Sequence, residues 1–187
     1  MFDKTIVFTG KHAAYLRELA AGNPANKTKS NLQKGNKHCP FQTNKQVFII
    51  APIVGFLYKR SSPVDADKNI PDNKIFAEQL NDINDQLELI YRTIMLLDKP
   101  QQVSMDERLN RAFRYDRNIE KREAGDEVFN GYVRGGIEVL YENLVANVNN
   151  EMDAINDVTV FVETCKAQFI NEGDLTSIFA LCKDASI

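Results

Sequence analysis

Hydrophobic positions in this chain fall mostly at helical spacing, and one run stands apart from the rest. Val47–Tyr58, VFIIAPIVGFLY, holds barely a polar atom. Left in water, each large apolar side chain there forfeits roughly 1.5–3 kcal/mol, so the run is expected to be buried. Thr43 followed by Gln46 forms a capping box, in which hydroxyl and amide satisfy the orphan N–H groups of a helix start. The β-branched residues Val47, Ile49, Ile50, Ile53 and Val54 suit a buried strand instead. Pro52 weakens both readings, because it cannot donate to a ladder and it disrupts a helix interior. The reading adopted is a buried, kinked helix, with Gly55 admitting a neighbouring backbone.

The flanking pattern predicts a helical domain around that run. Thr5–Phe8 is β-like, and Thr9–Gly10 opens a helix to about Ala21 with Ala13, Leu16 and Leu19 inward. Gly22–Asn44 reads as a polar, lysine-rich loop. Lys59–Asp72 is a second loop with Pro63 and Pro71, and Asp72 or Asn73 caps the next helix. There Phe76, Leu80, Ile83, Leu87, Ile90, Ile94 and Leu97 recur at alternating four and three. Such a seam suits a core helix or a two-chain coiled coil. Ser104 and Glu107 cap a short helix with Met105, Leu109, Ala112 and Phe113 inward.

Gly125–Asp126 opens a helix using Phe129, Val133, Leu140 and Leu144, with Gly135–Gly136 in its middle. Each mid-helix glycine costs about 1 kcal/mol relative to alanine, which fits a close backbone approach there. The neighbour is either Gly55 of the apolar run or a partner chain, the latter making Tyr132, Arg134, Gly135 and Gly136 candidate partner-binding residues. Residues from Asn150 to Ile170 form a further helix through Ile155, Val158, Val162, Cys165 and Phe169, and Asp174 caps a last one ending near Leu181. The expected fold is all-α: a single domain, residues 1–187, of about six helices around a buried central helix.

Composition adds a charge split. Residues 1–60 carry ten Lys and Arg against Asp3 and Glu18, a balance of +8, while the remainder carries 13 basic and 24 acidic residues. The halves either neutralise each other in the fold or mark a face for nucleic acid or an acidic partner. Lys27, Lys29, Lys34 and Lys37 are the candidate phosphate contacts, with Arg111, Arg114 and Arg117 as a possible addition. Those arginines sit among Asp106, Asp116, Glu120 and Glu123, so a salt-bridged surface helix is the competing reading. Three unpaired cysteines, no signal-peptide pattern and no apolar run of spanning length point to a cytoplasmic protein without membrane contact.

No catalytic, metal or cofactor signature is found. VFTGK lacks the spacing of a phosphate loop, and His38–Cys39 has no second pair to complete a tetrahedral metal site. Pro71-Asp72-Asn73-Lys74 resembles a fragment of a restriction-type nuclease motif, but one aspartate would have to fill two roles. An unfamiliar catalytic constellation remains the third possibility.

Two segments together resemble a family. Phe48, Ile49, Ala51, Gly55, Arg60 and Pro63 fit one pattern, and Tyr132, Gly136, Ile137 and Leu140 fit a second. Over about residues 45–145 the chain is similar to small helical proteins associated with DNA phosphorothioation (Dnd) systems, with Pro52 and Val133 where that family favours small residues. The resemblance implies a non-enzymatic accessory component of a bacterial DNA-modification or anti-phage defence complex. Docking on a larger protein is therefore expected, self-association is possible, and direct DNA binding through the basic loop is the alternative.

Overall fold

Two glycine-bearing helices cross at the middle of the molecule, and the remaining elements pack against them. The computed structural model describes residues 2, 4–20, 39–98, 103–115 and 118–169. In order these form β1 (Ile6–Phe8), α1 (Gly10–Leu19), α2 (Asn44–Leu57), β2 (Asn73–Ile75), α3 (Ala77–Leu80), a 3₁₀ turn (Asn81–Ile83), α4 (Asn84–Leu97), α5 (Met105–Phe113), α6 (Ile119–Leu144) and α7 (Glu151–Phe169). Among the described residues the protein is all-α apart from one antiparallel ribbon, in which Ile6 faces Ile75 and Phe8 faces Asn73. The stretch around Lys27, Lys29, Lys34 and Lys37, the residue Arg117, and the helix expected after Asp174 lie outside the described residues.

The apolar run forms α2, and its capping box is present. Thr43 accepts from the Gln46 N–H while the Gln46 side chain accepts from the Thr43 N–H. The helix continues through Pro52 to Leu57. Burial is one-sided, which corrects the expectation that the whole run is enclosed. Val47, Phe48, Ala51, Pro52, Val54 and Gly55 are buried, whereas Ile50 and Ile53 are 37 % and 40 % exposed.

The central helix is α6. Every residue from 131 to 140 is buried except half-buried Tyr132. This helix starts at Ile119, where the Asn118 side chain accepts from the Lys121 N–H, well before the expected opening at Gly125–Asp126. Gly125 is instead internal, pressed on the Tyr91 hydroxyl. Phe48, Tyr91 and Phe129 meet beside it, with ring centroids 5.4 Å apart for Tyr91–Phe129 and 6.4 Å for Phe48–Phe129.

The long seam helix is two helices joined by a 3₁₀ turn, and Asn73 belongs to β2 instead of capping it. Leu80, Ile83, Leu87 and Ile94 are buried as the spacing predicts, and Tyr91 and Met95, which widen the apolar stripe toward the helix end, are buried with them, but Phe76, Leu89 and Leu97 are exposed. A strict 3.5-residue repeat drifts about 20° per heptad on a straight helix, so the buried stripe rotates off the seam by its end. In α5 only Ala112 is buried; Met105 and Phe113 are exposed, the Phe113 ring lying under the Arg92 guanidinium 5.4 Å away. α7 packs through Phe161, stacked on Tyr58, and leaves Ile155, Val158 and Val162 exposed.

Candidate functional site

The end of α2 positions the most polar cluster in the described fold. Lys59 adopts φ 52°, in the left-handed region. The Lys59 N–H donates to Phe56 O at 3.0 Å and the Arg60 N–H to Gly55 O at 2.8 Å, the paired bonds of a Schellman turn. That turn throws the chain sharply across α6. The Arg60 carbonyl lands on Gly135, and the guanidinium reaches Glu138 and Glu142.

Glu138 is the hub. Its side chain is 5 % exposed, in the middle of α6. Lys11 Nζ lies 2.9 Å from Oε1 and His12 Nε2 3.0 Å from the same atom, while Arg60 Nε lies 3.0 Å from Oε2. Burial by itself pushes this carboxyl up. Hydrogen bonds from Lys11, Ser62 and His12 override that and hold it down at about 2. An unpaired buried charge would cost several kcal/mol, so the cluster stands only as a unit. Burial also lowers His12 below its ordinary value, and the Glu138 hydrogen bond offsets this only in part.

Asp65 completes the cluster at the start of α1. Thr9 makes no side-chain cap there. The Asp65 carboxylate accepts from the Lys11 N–H at 2.7 Å, and the Thr9 hydroxyl donates to the Asp65 carbonyl. The Lys11 and Asp67 N–H groups hold the carboxyl below its usual range. An internal anion thus occupies the N-terminus of the VFTGK helix, where orphan N–H groups favour negative charge. Gly10, at φ 54°, leaves room for that carboxylate.

The expected partner-binding residues are placed by the chain itself. Gly136 faces the Ala51 carbonyl and Gly135 the Arg60 carbonyl, and a Cβ on Gly55 would fall 2.9 Å from the Gly136 nitrogen. The expected pairing is therefore present for Gly55 and Gly136, whereas Gly135 is matched to the Arg60 carbonyl and not to Gly55, and these faces are filled from within. Arg134 donates to Ser62 O and Glu127, both at 2.6 Å, and Tyr132 packs edge-on to Phe56 with its hydroxyl 3.2 Å from Asp98. Within this chain all four residues are engaged in internal contacts.

The arginines are similarly committed. Arg111 Nε lies 3.1 Å from Glu107, and Arg114 donates to the Asn110 side chain at 2.9 Å. The salt-bridged reading of this helix describes them. His12, Asp65 and Glu138 belong to no motif, and Lys11 and Arg60 entered only through the discarded VFTGK string and the resemblance pattern, not as members of a common site. One signal was present: Glu138 is the lone charge in the apolar stretch Gly135–Leu140.

Chemically, the Glu138 carboxylate is saturated by donors and is a poor base or nucleophile. Among the described residues no group of three or more His, Cys, Asp or Glu is placed to hold a metal ion, and no helix is long and apolar enough to cross a membrane. Cys39 and Cys165 are half-buried thiols. Compared with models of protein families, with curated proteins and with solved structures, the chain shows no match.

Proposed function

We propose that the protein is a non-catalytic accessory subunit of a bacterial DNA-modification or anti-phage defence system, docking on a larger cytoplasmic protein through α7. The supporting observation is the outer flank of that helix. Met152, Ile155, Val158 and Val162 are exposed by 72 %, 58 %, 39 % and 44 %. Steps of three and four place them within about a third of the helix circumference. Ile155 and Val158 also border a groove of about 330 Å³ shared with Cys39, Pro40, Leu144 and Ala154. Large apolar groups in a row, left in water, mark a contact surface. Glu151, Asp153, Asp157 and Glu163 accompany them against Lys166 alone, so the complementary face is apolar with a basic rim.

The system to which the subunit belongs is inferred from the resemblance around Phe48–Pro63 and Tyr132–Leu140. The test is light scattering after size exclusion of the chain mixed with each product of its neighbouring genes. One stable heteromeric complex, abolished by Ile155→Glu with Val162→Glu, is the expected result. A lone monomer with every product counts against the proposal. If the double variant loses stability like a core substitution, the flank is covered within the chain and the docking face lies elsewhere.

A further inference from the structure

Beneath the Glu138 cluster lies a cavity that the docking role does not use. It measures about 280 Å³ and is lined by Thr5, Ile6, Val7, Phe8, Thr9, His12, Val64, Asn130, Val133 and Arg134. It runs along β1, whose pairing with β2 leaves its second edge without a strand among the described residues. The volume equals that of roughly nine waters, near the lower end of small-molecule sites, about 300 Å³.

The polar groups of the wall have a definite sense. His12 is 1 % exposed, and its Nε2 lies 3.0 Å from Glu138 Oε1. A carboxylate only accepts, so Nε2 carries the proton and Nδ1 of the neutral ring is an acceptor. Burial lowers the proton affinity of this ring, which keeps it neutral near pH 7. Nδ1 has no partner among the described residues, although the ring forms part of the cavity wall. An acceptor in the cavity wall is available to a ligand's donor.

Arg134 supplies the opposite polarity. Its Nε and one terminal nitrogen are used by Ser62 and Glu127, which leaves further guanidinium N–H groups for an acceptor. Asn130, also in the wall, adds an amide. The lining includes a cation and no carboxylate, and Ile6, Val7, Phe8, Val64 and Val133 make up its apolar part.

We propose that this cavity binds a small aliphatic hydroxy acid, its carboxylate on Arg134 and Asn130 and its hydroxyl donating to His12 Nδ1. The wild-type protein tests this with three probes of one shape: 2-hydroxy-3-methylbutanoate, 3-methylbutanoate without the hydroxyl, and 3-methylbutane-1,2-diol without the carboxylate. Binding is read from the His12 ring resonances in a magnetic-resonance titration. The hydroxy acid is expected to saturate in the millimolar range, about tenfold more tightly than either analogue, the worth of one hydrogen bond. In Asn130→Ala, away from the Glu138 cluster, that preference over the diol shrinks and the preference over the deoxy acid stays. Equal affinity for the hydroxy acid and its deoxy analogue overturns the proposal, as does the absence of any His12 shift with all three probes at tens of millimolar.

Discussion

Gly136 lies so close to the Ala51 carbonyl that no side chain fits between them. Gly55 stands in the same relation to the Tyr132 carbonyl, and Gly135 to that of Arg60. Each obstacle is backbone, held by its own helix or turn, and cannot swing aside. Gly136→Ala, Gly135→Ala and Gly55→Ala are each expected to destabilise by about 3 kcal/mol or more, beyond ordinary overpacking and despite the better helix propensity of alanine. Gly131→Ala is the control. Its neighbour is the Ser61 hydroxyl, the end of a short side chain that rotates, so propensity and crowding nearly cancel. Urea unfolding of the four variants checks the contrast, and a uniform response across them refutes the backbone account.

Lys59 offers the opposite change. It holds φ 52° at the left-handed position of the Schellman turn, which a residue with a Cβ adopts at a cost of about 1–2 kcal/mol. Lys59→Gly removes that strain and returns part of it as unfolded-chain entropy. A net stabilisation of about 0.5–1 kcal/mol is expected, visible as a raised urea midpoint at unchanged slope. Loss of stability would show that the lysine side chain contributes to the turn.

These two positions mark what was legible in the chain. Gly55 and Gly136 could be paired from sequence because a mid-helix glycine signals close approach, though the same reasoning misplaced Gly135, which faces Arg60, and the Thr43–Gln46 box announced the start of α2. Lys59 carries no such mark, since the local bond from the Arg60 N–H to Gly55 O is backbone, and what fixes the turn beyond it is Arg60 meeting Glu138 of α6, 78 residues along the chain. The same holds for Asp65 capping α1 across 54 residues. The periodicity of Phe76–Leu97 gave the right helix face from Leu80 to Ile94, with Tyr91 and Met95 beside it, and failed only at its ends, Phe76 and Leu97. In α7 the apolar spacing was real, but it marked an exposed flank, and spacing alone does not tell which side of a surface helix is covered.

The Glu138 cluster makes stability depend on acid pH with a definite sign. Glu138 is held at about 2 in the folded chain, against about 4.3 for an unperturbed glutamate. Its contribution is therefore full above the unfolded value and is lost as pH falls toward 2. His12, lowered by burial, acts in the same direction, because below about 6.5 the unfolded chain takes up a proton that the folded chain resists. Stability should thus decline from near neutrality and fall more steeply below about pH 4.5. Glu138→Gln is expected to flatten the acid limb, and Glu138→Ala to cost about 1–3 kcal/mol at pH 7, chiefly by stranding the buried His12 N–H, since Lys11 reaches water and Arg60 keeps Glu142. An unchanged acid limb in Glu138→Gln would assign the loss to other carboxylates.

DNA binding, if the chain has it, should separate the two basic groups. A phosphate reaching Arg111 must displace Glu107 from 3.1 Å, and one reaching Arg114 must displace Asn110. Both exchanges give up a formed bond for a new one, so little affinity is gained. Lys27, Lys29, Lys34 and Lys37 have no acid within their stretch of sequence. Each lysine that neutralises one duplex phosphate adds about 0.9 to the slope of log K against log salt. Replacing all four lysines by glutamine should then remove a slope of roughly 3–4, while Arg111→Gln with Arg114→Gln changes it by less than about one. Fluorescence anisotropy of a labelled duplex across a salt series measures both slopes. A larger loss from the arginine pair would place the contact on α5, and no affinity at low salt would remove DNA binding and leave docking through α7.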